Sequence, residues 1–136
     1  MGRILAIDYG TKRTGIAVTD VEQIIATPLT TVETPSLFDF LKNYIKQESV
    51  DEIVVGFPER SHDEYSEIQQ KILIFVNQLK QMVEQKIIMF DERYTSKMAF
   101  QAMIDGGLKK KQRRNKAMID KVSATIILQD YLKTKS

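Results

Sequence analysis

The opening stretch, residues 3–20, constrains the fold more than any other feature, because its pattern is that of a strand, a tight turn and a second strand. Asp8 closes the first apolar run, and Gly10 and Gly15 lie on either side of the polar break. Glycine permits a tight turn and lets another backbone, or a phosphate, approach closely. Two roles remain open for Asp8. It can hold a metal ion against a phosphate, or it can be an ordinary turn residue at the end of a strand.

Composition limits the chemistry. The 136 residues predict one domain, residues 1–136, with one core. The chain has no cysteine and one histidine, which excludes disulfides, cysteine-based zinc sites and histidine clusters within one chain. A metal site must therefore use oxygen ligands, which favours Mg²⁺, Mn²⁺ or Ca²⁺. No apolar run is long enough to cross a bilayer, and we expect no signal peptide because residues 1–3 lead straight into the first strand.

The order of predicted elements is βββαβαβαα. Pro28 lies within the third strand, residues 23–32, and predicts an edge position or a bulge. A helix is then expected at about 34–48, a strand at 51–57, a second helix at about 63–84 and a strand at 87–90. A helix capped at Thr95 or Ser96 follows, and a last helix begins near Asn115. The expected apolar stripes are Ile68, Ile72, Phe75, Val76, Leu79 and Val83 in the second helix, and Met118, Ile119, Val122, Ile126, Ile127 and Tyr131 in the last. This order predicts an α/β fold with a mixed five-stranded sheet, three antiparallel strands and then parallel strands, and helices on both faces.

Several acids fall where such a sheet binds ligands, beyond the carboxyl ends of its parallel strands. Asp8 ends the first strand, and Asp91 and Glu92 end the last one. Asp120 lies early in the final helix. If three of these carboxylates converge, they can bind divalent cations, and two such ions can activate water against a phosphodiester. Structural alternatives stay open: one of the Asp91–Glu92 pair can pair with Arg93 or cap a helix, and Asp120 can complement a helix dipole.

A basic segment precedes the last helix. Residues 109–116 contain six basic side chains and no acid, whereas acids outnumber bases in residues 51–67. Concentrated positive charge is the electrostatic footprint of a protein that binds a phosphate backbone. The alternative is a solvated loop with no partner.

Four blocks of sequence resemble the RuvX family, which is also called YqgF or Holliday-junction-resolvase-like. They are DYGTKRTGIAVTD at 8–20, VVGFP at 54–58, DERYTS at 91–96 and DKVSATIILQ at 120–129, so that the resemblance spans almost the whole chain. It implies a ribonuclease-H-like nuclease domain in which Asp8, Glu92 and Asp120 are the catalytic, metal-binding acids. Family members are held to process the 5′ end of precursor 16S ribosomal RNA in the cytoplasm, and resolution of four-way DNA junctions is an older proposal.

The resemblance leads to a specific hypothesis for the site. Asp8 bridges two Mg²⁺ or Mn²⁺ ions, and Glu92 and Asp120 complete their coordination. The expected partner is structured RNA, above all precursor ribosomal RNA, with a DNA junction as the alternative; the ribosomal particle is a further candidate partner, and no membrane is expected. The residues expected to contact nucleic acid are Gly10, Thr11, Lys12, Arg13, Arg93, Lys109, Lys110, Lys111, Arg113 and Arg114.

One segment departs from the family pattern, and two other function classes remain. The family continues after Pro58 with an Asn and a Gly-rich turn, whereas residues 59–64 read ERSHDE, so no substrate contact is assigned there. His62 is interpreted as a surface histidine rather than a proton shuttle. Sugar kinases and actin-like ATPases open with a similar Asp-Gly-Thr turn, but they need a second related half, and these 136 residues contain no second Asp-x-Gly-Thr stretch, so this class ranks well below a nuclease. A non-catalytic nucleic-acid-binding module would bind RNA with steep salt dependence and would not cleave it.

Overall fold

The computed structural model describes residues 2–58, 66–91 and 116–135. The elements within these ranges are β1 (Arg3–Asp8), β2 (Arg13–Thr19), β3 (Ala26–Glu33), a 3₁₀ turn (Thr34–Ser36), α1 (Leu37–Gln47), β4 (Val50–Phe57), α2 (Glu67–Met82), β5 (Lys86–Asp91) and α3 (Lys116–Lys135). None of the three described helices combines the length and the apolar character needed to span a bilayer. The helix predicted to begin at Thr95 or Ser96 and the segment 59–64 lie outside the described residues.

The five strands form one sheet in the order β3-β2-β1-β4-β5. β1 and β2 pair antiparallel, as do β2 and β3, whereas β1, β4 and β5 are parallel to one another. This confirms the predicted mixed sheet. Pro28 lies on β3, an edge strand, opposite Ala17, and the β2–β3 register shifts between Ile16 and Ala17. The edge position and the irregularity predicted from Pro28 are therefore both present. Such a place tolerates proline, which has no backbone N–H.

Helices cover both faces of the sheet, as predicted. Alternate residues of β1 point to opposite faces. Leu5 and Ile7 belong to the core cluster formed with α1 and α2, whereas Ile4 and Ala6 belong to the cluster formed with α3. The central strands are buried on both sides, which explains their continuous apolar runs. The largest fully buried side chains are Ile4, Leu5, Ile7, Ile16, Leu37, Leu41, Ile53, Val54, Ile72, Leu79, Ile127 and Leu128.

Helix α2 begins later than its sequence pattern predicted. Ser66 is its N-cap and has an extended backbone (φ −66°, ψ 167°), so that the helix begins at residue 67 and not near 63. Ser66 and Gln69 form a reciprocal capping box, in which each side chain accepts a hydrogen bond from the other's backbone N–H. The predicted apolar stripe is confirmed: Ile72, Phe75, Val76 and Leu79 are buried, and Ile68 and Val83 pack against the same cluster.

Helix α3 packs with a phase that differs from the predicted one. Its buried apolar residues are Ala124, Ile127, Leu128 and Tyr131. The prediction was right for Ile127 and Tyr131. Ile119, Val122 and Ile126 are only partly buried. The side chain of Met118 lies outside the described part of the chain. Apolar residues occur on several sides of this helix, so periodicity alone did not fix the face. The small Ala124 lets the helix lie close to the sheet.

Candidate functional site

The candidate site lies at the edge where the parallel strands end. β1 ends at Asp8 and β5 ends at Asp91, which pairs with Phe57 at the end of β4. β2 runs the other way and begins at this edge with Arg13. Asp120, in the early part of α3, reaches the same edge because α3 packs on β1 and β2 and runs antiparallel to β1.

Gly15 brings Asp8 and Asp120 together. It is the register partner of Asp8 across the β1–β2 pair. A methyl group at Gly15 would collide with the backbone carbonyl of Asp120 and with the amide nitrogen of Lys121. Residues directly opposite in an antiparallel pair project from the same face, so the side chain of Asp8 is on the α3 face, the face on which the backbone of Asp120 contacts Gly15. The sequence predicted a close approach at this glycine, and the structure shows that the approaching group is a helix backbone.

Arg13 forms an ion pair with Asp120. Its Nε donates a hydrogen bond of 3.1 Å to Oδ2 of Asp120, across 107 positions of sequence. The two side chains are 37% and 27% exposed, so the pair is open to solvent. Arg13 was predicted to contact nucleic acid, but its partner in this structure is one of the predicted metal-binding acids. The residues are far apart in the chain, and no local pattern indicated the pairing.

The turn between β1 and β2 is fixed by two threonines. The hydroxyl groups of Thr14 and Thr34 lie 2.9 Å apart, and the fully buried Thr14 accepts a weak hydrogen bond from the N–H of Gly10 at 3.4 Å. Thr34 donates to the carbonyl oxygen of Gly10 at 2.6 Å, and its N–H donates to the carbonyl of Lys12 at 3.0 Å. A side chain at Gly10 would strike the carbonyl of Arg13. Sequence reasoning missed both threonines, although each stands beside a predicted element boundary.

The exposed tip of this turn is Thr11 and Lys12, whose side chains face solvent at the same edge. Tyr9 lies on the opposite alternation to Asp8 and packs its ring against Phe75 of α2 at 5.0 Å between centroids. The two residues at the end of β1 therefore have different tasks. Tyr9 anchors the strand to the α1–α2 core, and Asp8 is left on the face where α3 lies.

Of the two acids at the end of β5, only Asp91 is among the described residues. Ile88 and Phe90 of this strand pack against the α3-side core. Asp91 belongs to the other alternation, on the side of Ile87, which packs against the α1–α2 core. Asp91 therefore does not share a face with Asp8. Glu92 is the next residue in sequence and lies outside the described part of the chain, as do the predicted nucleic-acid contacts Arg93, Lys109, Lys110, Lys111, Arg113 and Arg114.

The donor atoms at this edge suit a hard divalent cation. Asp8 and Asp120 supply carboxylate oxygens, which are the preferred ligands of Mg²⁺ and Mn²⁺. Within residues 2–58, 66–91 and 116–135, no group of three potential metal-binding side chains is present. Asp8 and Asp120 are two of the three predicted ligands, and the third, Glu92, lies outside the described residues.

The far end of α3 is held at the opposite edge of the sheet. Tyr131 donates a hydrogen bond of 2.8 Å to Glu52 of β4, and Lys135 pairs with the same carboxylate at 2.9 Å. Burial disfavours the charged form of Glu52, but the hydrogen bonds from Lys135 and Tyr131 outweigh it and lower the pKa of Glu52 below its ordinary value. Burial and the neighbouring Glu52 raise the pKa of Tyr131, which stays protonated as the donor. These bonds hold the carboxyl-terminal end of α3 to β4.

Solved structures show which fold this chain has. The fowlpox virus resolvase bound to Holliday junction DNA superposes with a TM-score of 0.60 at 12% identity, over 98% of each chain. The RuvC protein of T. thermophilus in complex with a Holliday junction substrate gives a TM-score of 0.59 at 15% identity, over 98% of this chain and 95% of that one. At these identities the likeness shows the fold alone. The chain has the ribonuclease-H-like fold of these resolvases.

Sequence comparison gives the family. The family model RuvX, described as Holliday junction resolvase, matches residues 2–134. A relative from Phocaeicola vulgatus is 57% identical over 136 residues, with 99% of this chain and 98% of the relative covered. One from Bacteroides fragilis is 54% identical, with 99% of each chain covered. Both are named as candidate pre-16S rRNA nucleases. The chain therefore belongs to the RuvX family, as its four sequence blocks predicted.

Proposed function

We propose that this chain is a nuclease that hydrolyses phosphodiester bonds at the 5′ end of precursor 16S ribosomal RNA, with divalent cations held by Asp8, Glu92 and Asp120. The observation that supports the proposal is that Gly15 is the register partner of Asp8 and that the backbone of Asp120 lies against the same glycine. The substrate rests on the relatives that are 54% and 57% identical and are named as candidate pre-16S rRNA nucleases.

The three acids have a common task in this proposal. Their oxygens would hold Mg²⁺ or Mn²⁺, and we propose that two ions bind. When bound, such ions supply an activated water and neutralise the charge that develops on the leaving oxygen of a phosphodiester. Asp8 is fixed by the register of β1 and β2, and Asp120 by the contact of its backbone with Gly15. The backbones of both residues would therefore be in place before a cation arrives.

Basic and backbone groups around this edge would hold the polyanionic substrate. Lys12 and Thr11 are exposed on the turn beside Asp8, and Arg13 is next to Asp120. Gly10 belongs to the same turn, and we propose that its backbone also contacts the substrate. We propose that Arg93 and the basic residues of segment 109–114 extend this surface. A nuclease of precursor ribosomal RNA would work in the cytoplasm, and the assembling ribosomal particle is its proposed partner.

Resolution of four-way DNA junctions is the second candidate function. It is favoured by the description of the family model and by the resolvases that share the fold. Both candidates use the same acids, so they differ in the substrate and not in the chemistry.

A substrate panel separates these functions. The wild-type protein would be offered precursor 16S RNA, the same RNA in a precursor ribosomal particle, and a four-way DNA junction, each with Mg²⁺, Mn²⁺ or chelator. Metal-dependent cleavage of the RNA, free or in the particle, is the expected result. Cleavage of the junction alone would move the assignment to a resolvase. Salt-dependent binding of all three substrates without any cleavage would support the non-catalytic binding module instead.

A further inference from the structure

Arg13 is bound to a carboxylate that the proposed cations need. It is the first residue of β2, two positions before Gly15, and lies on the α3 face. Its Nε donates to Oδ2 of Asp120 at 3.1 Å. The guanidinium therefore stands at the proposed metal site as a positive charge beside one of the ligands.

A guanidinium and a divalent cation compete for one carboxylate, because both are attracted to it and they repel each other. From this geometry we infer that Arg13 is an exchangeable counterion. It neutralises Asp120 until a divalent cation binds, and then leaves to contact a phosphate of the nucleic acid. The inference rests on the proposed metal site and adds an order of binding. The cation binds first, and its binding makes Arg13 available to the substrate.

The exposure of the pair makes the exchange feasible. With 37% and 27% of the two side chains in contact with solvent, neither charge is trapped in the core. An exposed ion pair of this kind shifts an equilibrium by only about two- to fivefold, so a divalent cation can displace it. The guanidinium has a planar set of donors that matches phosphate oxygens, which gives the released side chain a second partner of the right chemistry.

A metal titration tests the first half of the inference. Mn²⁺ would be titrated calorimetrically into the wild type, Arg13→Gln and Lys12→Gln. The last variant is the matched control, because it removes one positive charge from the same turn at a side chain that faces solvent. Arg13→Gln should bind Mn²⁺ about two- to fivefold more tightly than Lys12→Gln does. In an Asp120→Asn background the same change should give no gain.

If Arg13 only pins α3 to β2, the variant loses thermal stability and its Mn²⁺ affinity falls or stays unchanged, which would overturn the inference. Arg13→Lys keeps the charge but loses the Nε donor that bonds Asp120, so it should show part of the gain. If the glutamine variant folds poorly, the lysine variant decides the test, because no gain in it over Lys12→Gln would overturn the inference.

A nucleic-acid titration tests the second half. Binding of a fluorescein-labelled single-stranded RNA would be followed by anisotropy with chelator and with Ca²⁺, whose flexible coordination is not expected to support cleavage. The loss of affinity caused by Arg13→Gln should be larger with Ca²⁺ than with chelator. For Lys12→Gln the loss should be the same in both conditions. An equal loss for Arg13→Gln in both conditions would contradict the release of Arg13 by the cation.

The same titrations separate failure of this inference from failure of the proposed function. If Asp8→Asn and Asp120→Asn bind Mn²⁺ as tightly as the wild type, the proposed metal site is wrong and the inference falls with it. If both variants lose Mn²⁺ but Arg13→Gln gains nothing over Lys12→Gln, the metal site stands and only the exchange is wrong.

Discussion

Replacing Gly15 by alanine should damage both the stability and the proposed metal site. The new methyl group would overlap the carbonyl of Asp120 and the amide nitrogen of Lys121, which are backbone atoms of α3 and cannot rotate away. Overpacking costs about 1–3 kcal/mol, and the reduced entropy of the unfolded chain offsets about 0.4–1 kcal/mol of that. A net loss of about 1–2 kcal/mol remains, which corresponds to a fall in Tm of roughly 3–7 °C for a chain of 136 residues.

The displacement also has a functional consequence. To relieve the overlap, α3 must move away from β2 and carry Asp120 away from Asp8. Thermal unfolding and Mn²⁺ titration would therefore be measured on the same samples, and both Tm and affinity should fall. Gly2→Ala is the matched control. The atoms it meets belong to the side chains of Asp51 and Ser49, which can move. A Gly15→Ala protein with the stability and Mn²⁺ affinity of the wild type would refute the packing argument.

Three further substitutions test the surroundings of the site. Thr14→Val removes a buried hydroxyl that accepts from Gly10, and should cost about 1–2 kcal/mol in urea unfolding; an unchanged midpoint would show that the turn does not depend on it. Ser66→Ala removes the cap of α2 and should cost about 1 kcal/mol by the same assay, whereas a variant as stable as the wild type would contradict the capping argument. The pKa of Glu52 is lower in the folded than in the unfolded chain, so its contribution to stability is full above pH about 4.5 and is lost as the pH falls through the folded pKa. Glu52→Gln should make the free energy of unfolding less dependent on pH below about 4.5. The same pH dependence in the variant and the wild type would show that Glu52 does not contribute to it.

Local patterns predicted the parts of the fold that local physics determines. The apolar runs on either side of the turn predicted the first hairpin. Pro28 predicted an irregular edge strand, because proline has no backbone N–H to donate to a neighbouring strand. The stripe of α2 was predicted correctly since its polar and apolar faces are distinct. The start of α2 was predicted too early, because the polar residues before Ser66 look like helix formers and the capping box was overlooked.

The site itself was predicted only in outline. Asp8 and Asp120 were predicted from the strand end and the helix start, and then by the family motif, and the structure places both at one edge of the sheet. The pair between Arg13 and Asp120 was missed because nothing local links positions 107 apart in sequence. Contacts of this kind depend on the phase of α3, which its sequence did not fix because apolar residues occur on several of its sides. The third acid, Glu92, remains a prediction.

The most direct test of the account is the rate at which precursor 16S RNA is cleaved by the wild type, Asp8→Asn and Asp120→Asn in Mg²⁺. Asp39→Asn is the charge-matched control, since Asp39 is exposed in the first turn of α1 on the other face of the sheet. We predict that Asp39→Asn cleaves like the wild type, and that the other two variants fold but cleave no faster than the wild type with chelator. Cleavage at the wild-type rate by Asp8→Asn or Asp120→Asn would contradict the proposed site.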